Sequence, residues 1–499
     1  MPRPGRLITG AGFLLAAGIL LWGMAALSAW LTREHLSMRA EAMWTALREG
    51  KPLWQWPLQR PDDLVARRVF GSTELVTSDT GLRITSRDGT PFELGLPLNG
   101  PVDLRHWPLL KLDAQSSASG RLSLSYQATE TAAPCQTDAT PWDTGANEWV
   151  QDLRSMAWRA VSGAACAPPD VVTYMLRLRV QLPAQATLRI RQVTLLTAQP
   201  MAPLRPIDAQ AADIRLPIDP LTADVRRNTP LVRLPADASA ESLLILRDSA
   251  RQTWPGALIL PSGRAVAAPG RGNLPPWVDW TTLSAYLTFL CWLAYRHTPE
   301  VQRPWLETAA IAFGPLWLIA GLRWGVEPSI PGALAFVAAL IYGGQGEWRR
   351  RPVTWSWLGH RTADWLWPLV PLPVAAALIA ADGHGLTKLP TLHIVAYFAW
   401  ALLQQWAMLA VVMGRLRKTQ LPAPVIVLIT ATVFGLLHTP NGALMQLCFM
   451  AELWWAWCFL RAPRLLPIAV AHALSALLVE SGLTGHWLRS LEVSARFFQ

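Results

Sequence analysis

Two patterns of apolar positions divide the chain. The first run, "LITGAGFLLAAGILLWGMAALSAW", is uncharged over about 24 residues, long enough to cross a bilayer as a helix. Arg3 and Arg6 precede it and keep the N-terminus cytoplasmic. Its length favours an uncleaved anchor over a signal peptide cut at the small-residue site "ALS". Long apolar runs return at Trp277 and predict spans near 278–296, 304–323, 329–344, 365–381, 391–413, 422–438, 443–460 and 465–482, nine with the anchor. Between these regions the period changes to two. In "MLRLRVQL", Leu176, Leu178 and Val180 alternate with Arg177, Arg179 and Gln181, and "ATLRIRQV" and "RLSLSYQ" repeat the pattern. "LRITSRDGTPFELGL" reads as two strands around an Asp88-Gly89 turn.

One buried and one wet face at regular spacing argue a β-sandwich. The expected architecture is a multi-domain membrane protein. Residues 1–31 form an N-terminal anchor helix, 32–275 an exported all-β sandwich, and 276–499 an all-α polytopic bundle. "VDLRHWPLLKLDA" and the strands after it resemble galactose-binding-like jelly rolls, which implies the fold and no ligand.

Composition agrees with a membrane protein. Hydrophobic residues make up 52% and charged ones 16%, against about 25% charged in soluble chains. The 27 tryptophans suit the bilayer interface, where an apolar ring meets a wet N–H. The net charge of +10 is spread through short loops such as "EWRRRP", "RLRK" and "RAPR". This is the positive-inside pattern rather than a nucleic-acid footprint. It places the chain in a bacterial inner membrane as a multi-pass protein, with residues 32–275 in the periplasm and membrane lipid as a partner. Cys135 and Cys166 lie in the exported part and can pair there. Such a loop stabilises by roughly 3–4 kcal/mol on the chain-entropy model.

Strongly polar residues inside a bilayer are costly and tend to mark function. His393, Tyr397, Trp400 and Gln404 recur at spacings of four, three and four, one face of a helix, with Gln405 adjacent. Phe434 and His438 share a face of the next span, which Pro440 and Asn441 end. Glu452 lies roughly 14 Å from the outer end of its span, and His472 sits near mid-depth with Ser475 one turn on. The bland reading of the glutamines is structural glue between helices, with Glu452 a buried acid bonded to one of them. The functional reading is hydrolysis, which needs a base for water and donors for an oxyanion. Two histidines and a carboxylate are also a zinc set, but the His-Glu-x-x-His signature is absent, so no cofactor is expected and zinc is a minor alternative.

"FGLLHTPN" followed by "RLLPIAVAHALSALL" resembles the CPBP family of intramembrane proteases, which takes in CAAX prenyl endopeptidases and the bacteriocin-processing or Abi proteins. The resemblance covers residues 360–485 and implies an all-helical membrane fold with three motifs: Glu-Glu-x-x-x-Arg, Phe-x-x-x-His and His-x-x-x-Asn. The second matches at Phe434 and His438. The third matches at His472, with Ala476 at the Asn position and Ser475 beside it. The first is degenerate: Gln404 and Gln405 replace the glutamates and Leu409 the arginine. A carboxamide cannot act as the base, so Glu452 is the replacement candidate.

Two functions remain open. One is an endopeptidase cleaving a protein or peptide at the membrane, with His438, His472 and Glu452 catalytic, Gln404 and Gln405 positioning, and the exported domain recruiting substrate. Prenylated substrates follow from the family alone, and an exported domain argues against them. The other is an inactive relative that binds an envelope partner as receptor or scaffold.

Overall fold

The first helix, α1 (Pro4–Glu49), does not stop at residue 31, where the anchor was expected to end. The structure, a computed structural model, describes residues 4–49, 54–78, 81–98, 102–104, 107–127, 132–166, 172–173, 175–197, 204–208, 229–253, 257–263, 275, 277–295, 302–322, 324–326, 328–349, 354–383, 385–485 and 488–498. An N-terminal apolar helix leads to a central region of two antiparallel sheets and then to a helical region. Two compact units result: Met1–His35 with Ala238–Leu244 and Arg271–Gln499, and Leu36–Asp237 with Ile245–Gly270.

In the β-rich unit one sheet runs in the order Gly145–Asp152, Leu109–Ser116, Thr187–Leu196, Gly81–Ser86, Thr73–Ser78, with Trp54–Trp56 also on Thr187–Leu196. The other runs Ala165–Cys166, Trp158–Ala160, Cys135–Thr137, Gly120–Gln127, Met175–Gln181, Phe92–Leu96, Val69–Phe70. Leu82, Ile84, Leu110 and Ile190 of the first share one apolar core with Phe92, Leu124, Leu176 and Leu178 of the second. The period-two residues Leu176, Leu178 and Val180 are buried, while Arg177 bonds Glu93 and Arg179 bonds Gln136 on the other face. In Gly120–Gln127, Ser123 and Ser125 are buried as well, so both faces of that strand are covered. A disulfide joins Cys135 to Cys166 in the second sheet.

The strands on either side of Asp88-Gly89 are present but do not pair with each other. Gly81–Ser86 belongs to the first sheet and Phe92–Leu96 to the second. Asp88 Oδ1 accepts from the N–H and hydroxyl of Thr90, and Gly89 takes φ +80, so the turn carries the chain from sheet to sheet. Alternation also missed a three-stranded parallel sheet, Leu204–Asp208, Thr229–Leu234 and Leu258–Pro261. Helix α2 (Ala240–Thr253) connects its last two strands.

The helical unit contains α3 (Trp277–Tyr295), α4 (Arg303–Ala320), α5 (Ile330–Arg349), α6 (Thr362–Leu366), α7 (Pro371–Asp382), α8 (Thr391–Gln405), α9 (Gly414–Leu416), α10 (Ala423–Leu436), α11 (Gly442–Arg461) and α12 (Leu465–Leu483). Among the described residues, five stretches are long and apolar enough to cross a membrane: Gly10–Ala46, Thr362–Asp382, Thr391–Leu416, Gly442–Arg461 and Leu465–Leu483. The front of α1 is more than a tether. Its Ala17 and Met24 pack with Ala431, Met445 and Phe449. A Cβ on Gly435 would meet Met445 O at 3.0 Å and the end of the Met24 side chain at 2.8 Å, a tight approach that Met24 would have to yield to. Gln446 Nε2 donates to Leu21 O at 3.0 Å, and Ser28 Oγ donates to Pro440 O. Ser28, part of the small-residue cleavage site considered above, is buried in this packing.

Candidate active site

The polar residues at mid-depth come together from three helices. Gln405 ends α8, Glu452 sits in the middle of α11, and His472 faces them from α12. Gln405 Nε2 donates to Glu452 Oε2 at 3.0 Å and lies 3.2 Å from His472 Nδ1. Gln405 and Glu452 are 0% exposed and His472 is 4% exposed. Three aromatic rings hold the His472 imidazole: Trp455, Phe434 and Tyr397 at centroid distances of 4.9, 5.6 and 6.4 Å.

His438 joins through Phe434, whose ring lies 5.0 Å from its imidazole. α10 ends at Leu436, and the last carbonyls of a helix lack intrahelical donors. His438 Nδ1 meets Phe434 O at 2.9 Å, a carbonyl that also accepts from Leu437 N at 3.2 Å. A carbonyl only accepts, so this bond puts a proton on Nδ1 and leaves a lone pair on Nε2 of the neutral ring. The histidine therefore caps its own helix. Asn441 starts the next helix, accepting from Leu444 N at 3.1 Å and donating to Ser490 O at 2.7 Å.

A cavity of about 1690 Å³ lies beside these groups, and most of its lining is apolar. His438, His472, Gln404 and Ser475 line it, as do His393, Tyr397 and Trp400 of the predicted α8 stripe. Gln405 and Glu452 do not; they stand behind His472. Ser475 Oγ and Gln404 Oε1 have no hydrogen-bond partner among the described residues, and neither do Gln405 Oε1 and Glu452 Oε1. Among the described residues no three candidate ligands gather as a zinc set would require.

Two features escaped the sequence reading. Glu480 lines the cavity and meets His393 Nε2 at 2.9 Å. It falls two turns beyond His472 on the same helix face, a spacing that could have drawn attention to it. The second is a buried ion network. Arg415, read above as part of the basic loop "RLRK", is 1% exposed. It bonds Glu307 Oε2 at 2.9 Å, Glu347 Oε1 at 3.3 Å and Val411 O at 2.9 Å. Between Gln405 and Arg415 the backbone widens into a π-helix, Trp406–Met413, a distortion frequent at functional sites. Leu409, at the family's arginine position, is buried in the apolar core around this segment.

Residues 386–478 match the family model described as "Type II CAAX prenyl endopeptidase Rce1-like". The match takes in Gln404, Gln405, His438, Glu452, His472 and Ser475. A search of curated proteins finds no match. Among solved structures, a family 11 carbohydrate-binding module of the cellulase Lic26A-Cel5E of Clostridium thermocellum is similar at 14% identity, over 26% of this chain and 82% of that one, with a TM-score of 0.21. PfGH50B is similar at 11% identity over 28% and 23%, TM-score 0.22. The CBM22-1-GH10 modules of Clostridium thermocellum xylanase 10B are similar at 10% identity over 50% and 55%, TM-score 0.21.

Proposed function

We propose, from the premise that this is a multi-pass membrane protein with a protease-family, Rce1-like domain at residues 386–478, that it is an endopeptidase acting on a protein or peptide held at the membrane. One observation carries the reading. Two cavity-lining imidazoles flank Phe434, and their Nδ1 atoms meet unlike partners, a backbone carbonyl for His438 and the Gln405 amide nitrogen for His472, from which we read opposite tautomers. His438 presents a lone pair on Nε2. His472, whose Nδ1 accepts from Gln405, presents Nε2–H.

The chemistry follows from that difference. His438 Nε2 takes a proton from water as the oxygen attacks the peptide carbonyl carbon. The carbonyl oxygen becomes an oxyanion, held by His472 Nε2–H and by the hydroxyl of Ser475, whose oxygen has no other partner among the described residues. When the C–N bond breaks, His438 returns the proton to the departing amine. Gln404, at the cavity wall, donates to the substrate backbone. Glu452, the base candidate read from sequence, is not among the residues lining the cavity, and in this reading the proton transfer belongs to His438 instead. Residues 32–275 are assigned to the periplasm of a bacterial inner membrane, a reading supported by the Cys135–Cys166 disulfide, which persists in oxidising compartments. There this region recruits substrate.

The competing reading is a receptor or scaffold on an inactive frame. Gln404 favours it, because an amide stands where the family has a carboxylate. A deletion strain complemented with His438→Ala, His472→Ala or wild type separates the two, with membrane abundance matched and envelope proteins followed by terminal-resolved proteomics. A protease leaves the same uncleaved proteins in both variants as in the deletion. Wild-type cleavage patterns in both variants would end the protease reading.

A further inference from the structure

We propose that Glu452 is a positioning residue: through Gln405 it holds His472 in the Nε2–H tautomer. The argument rests on what each group can donate. A carboxyl oxygen that bears no hydrogen only accepts, so the Gln405 amide turns its nitrogen toward Glu452 Oε2, at 3.0 Å. The same nitrogen has a second hydrogen, and its other neighbour is His472 Nδ1 at 3.2 Å. Nδ1 must then offer a lone pair, and the ring's proton resides on Nε2. No described residue bonds Nε2, and the ring lines the cavity, so the N–H is available to a substrate oxygen.

The arrangement has two consistent forms. With an accepting oxygen at 452, Gln405 donates twice. With a group at 452 that donates, the amide turns over and its oxygen accepts both from that group and from His472 Nδ1–H. The imidazole then shows the cavity a bare Nε2 and loses its oxyanion-binding proton. The Trp455 and Phe434 rings oppose rotation of the imidazole itself, so the amide is the element that turns. Three helices, α8, α11 and α12, thus fix one proton. The role of that proton rests on the protease reading above, but the tautomer stands apart from it.

The test is solid-state NMR of the full-length protein, labelled with [15N]histidine, in lipid bilayers. The His472 signals are assigned by their loss in His472→Asn. Wild type is expected to show Nε2 protonated and Nδ1 bare. Glu452→Gln should convert some or all of His472 to Nδ1–H, and Gln405→Glu, which sets a carboxylate directly against Nδ1, should convert it fully. In cleavage assays both variants should lower kcat by about 10²–10³-fold, the usual loss of one oxyanion donor, with KM little changed. Nδ1–H in wild type, or a tautomer unchanged in Glu452→Gln, would overturn the relay. The expected tautomers in a protein that cleaves nothing would uphold the relay and remove the protease reading.

Discussion

Two buried polar clusters share the helical stretch Thr391–Leu416, and they are built on opposite principles. At its end, Arg415 is saturated: two carboxylates and the carbonyls of Val411 and Gly343 surround its guanidinium. Glu307 is held in turn by Arg303 at 2.9 Å and by Tyr342 at 3.4 Å. Earlier on the stretch, Gln405, Glu452 and His472 form a chain of single bonds, and polar atoms on Gln404, Gln405, Glu452 and Ser475 have no partner among the described residues. Buried polar groups are nearly always satisfied, so a saturated network reads as architecture and an unsaturated one beside a cavity as a place for a substrate. The two clusters should therefore fail differently when cut.

The largest loss is expected at the saturated cluster. Arg415→Met leaves the buried Glu307 and the partly buried Glu347 without their shared cation. Removing one partner of a buried ion pair costs about 3–5 kcal/mol. Thermal unfolding in detergent, with the monodisperse fraction after extraction, would measure it. Stability equal to wild type would mean that the carboxylates find other cations and that saturation is no sign of a structural role.

Ser475→Ala should do the reverse. Its buried hydroxyl oxygen has no described partner, so replacing it leaves nothing stranded and stability should hold. As an oxyanion donor it should lower kcat by about 10²–10³-fold. Gln404→Glu sharpens the same point. Restoring a carboxylate at the cavity wall should raise cleavage by about tenfold or more if His438 alone is a modest base. No change in either variant would make this wall of the cavity inert and draw the comparison apart.

Much of the helical unit was legible because its longer helices fall in mainly apolar runs, and the mid-span positions of Glu452 and His472 already drew attention to them. Arg415 was not legible. A long cationic side chain at the end of a span looks like a topological signal in sequence, and its burial depends on Glu307 and Glu347, two distant positions no periodicity connects. Which histidine nitrogen bears a proton was hidden for the same reason, being set by a carbonyl in one ring's case and an amide in the other's. In the β-rich unit, alternation identified Met175–Gln181 and Thr187–Leu196 as strands. It could not assign Gly81–Ser86 and Phe92–Leu96 to different sheets, since a turn within a sheet and a turn between sheets use the same residues.

The smallest effect is expected at an ion pair that is neither buried nor beside a cavity. In the β-rich unit Arg154 grips Asp152 with two bonds, Nε to Oδ1 at 3.0 Å and Nη2 to Oδ2 at 2.7 Å. The Arg154 hydrogen bond holds the Asp152 carboxyl below its usual range. A depressed carboxyl stabilises the folded state above the unfolded pKa of about 3.9, and that contribution fades as pH falls through the folded value. Water screens the pair, with 43% of the arginine and 29% of the aspartate side chain exposed. Asp152→Asn should therefore cost less than about 1 kcal/mol at neutral pH, and nothing once the medium is acid enough to protonate the wild-type carboxyl. Hydrogen exchange along Gly145–Asp152 of the intact protein would read it. A loss near that for Arg415→Met would show that two-pronged geometry, rather than burial and saturation, decides what an ion pair contributes in this molecule.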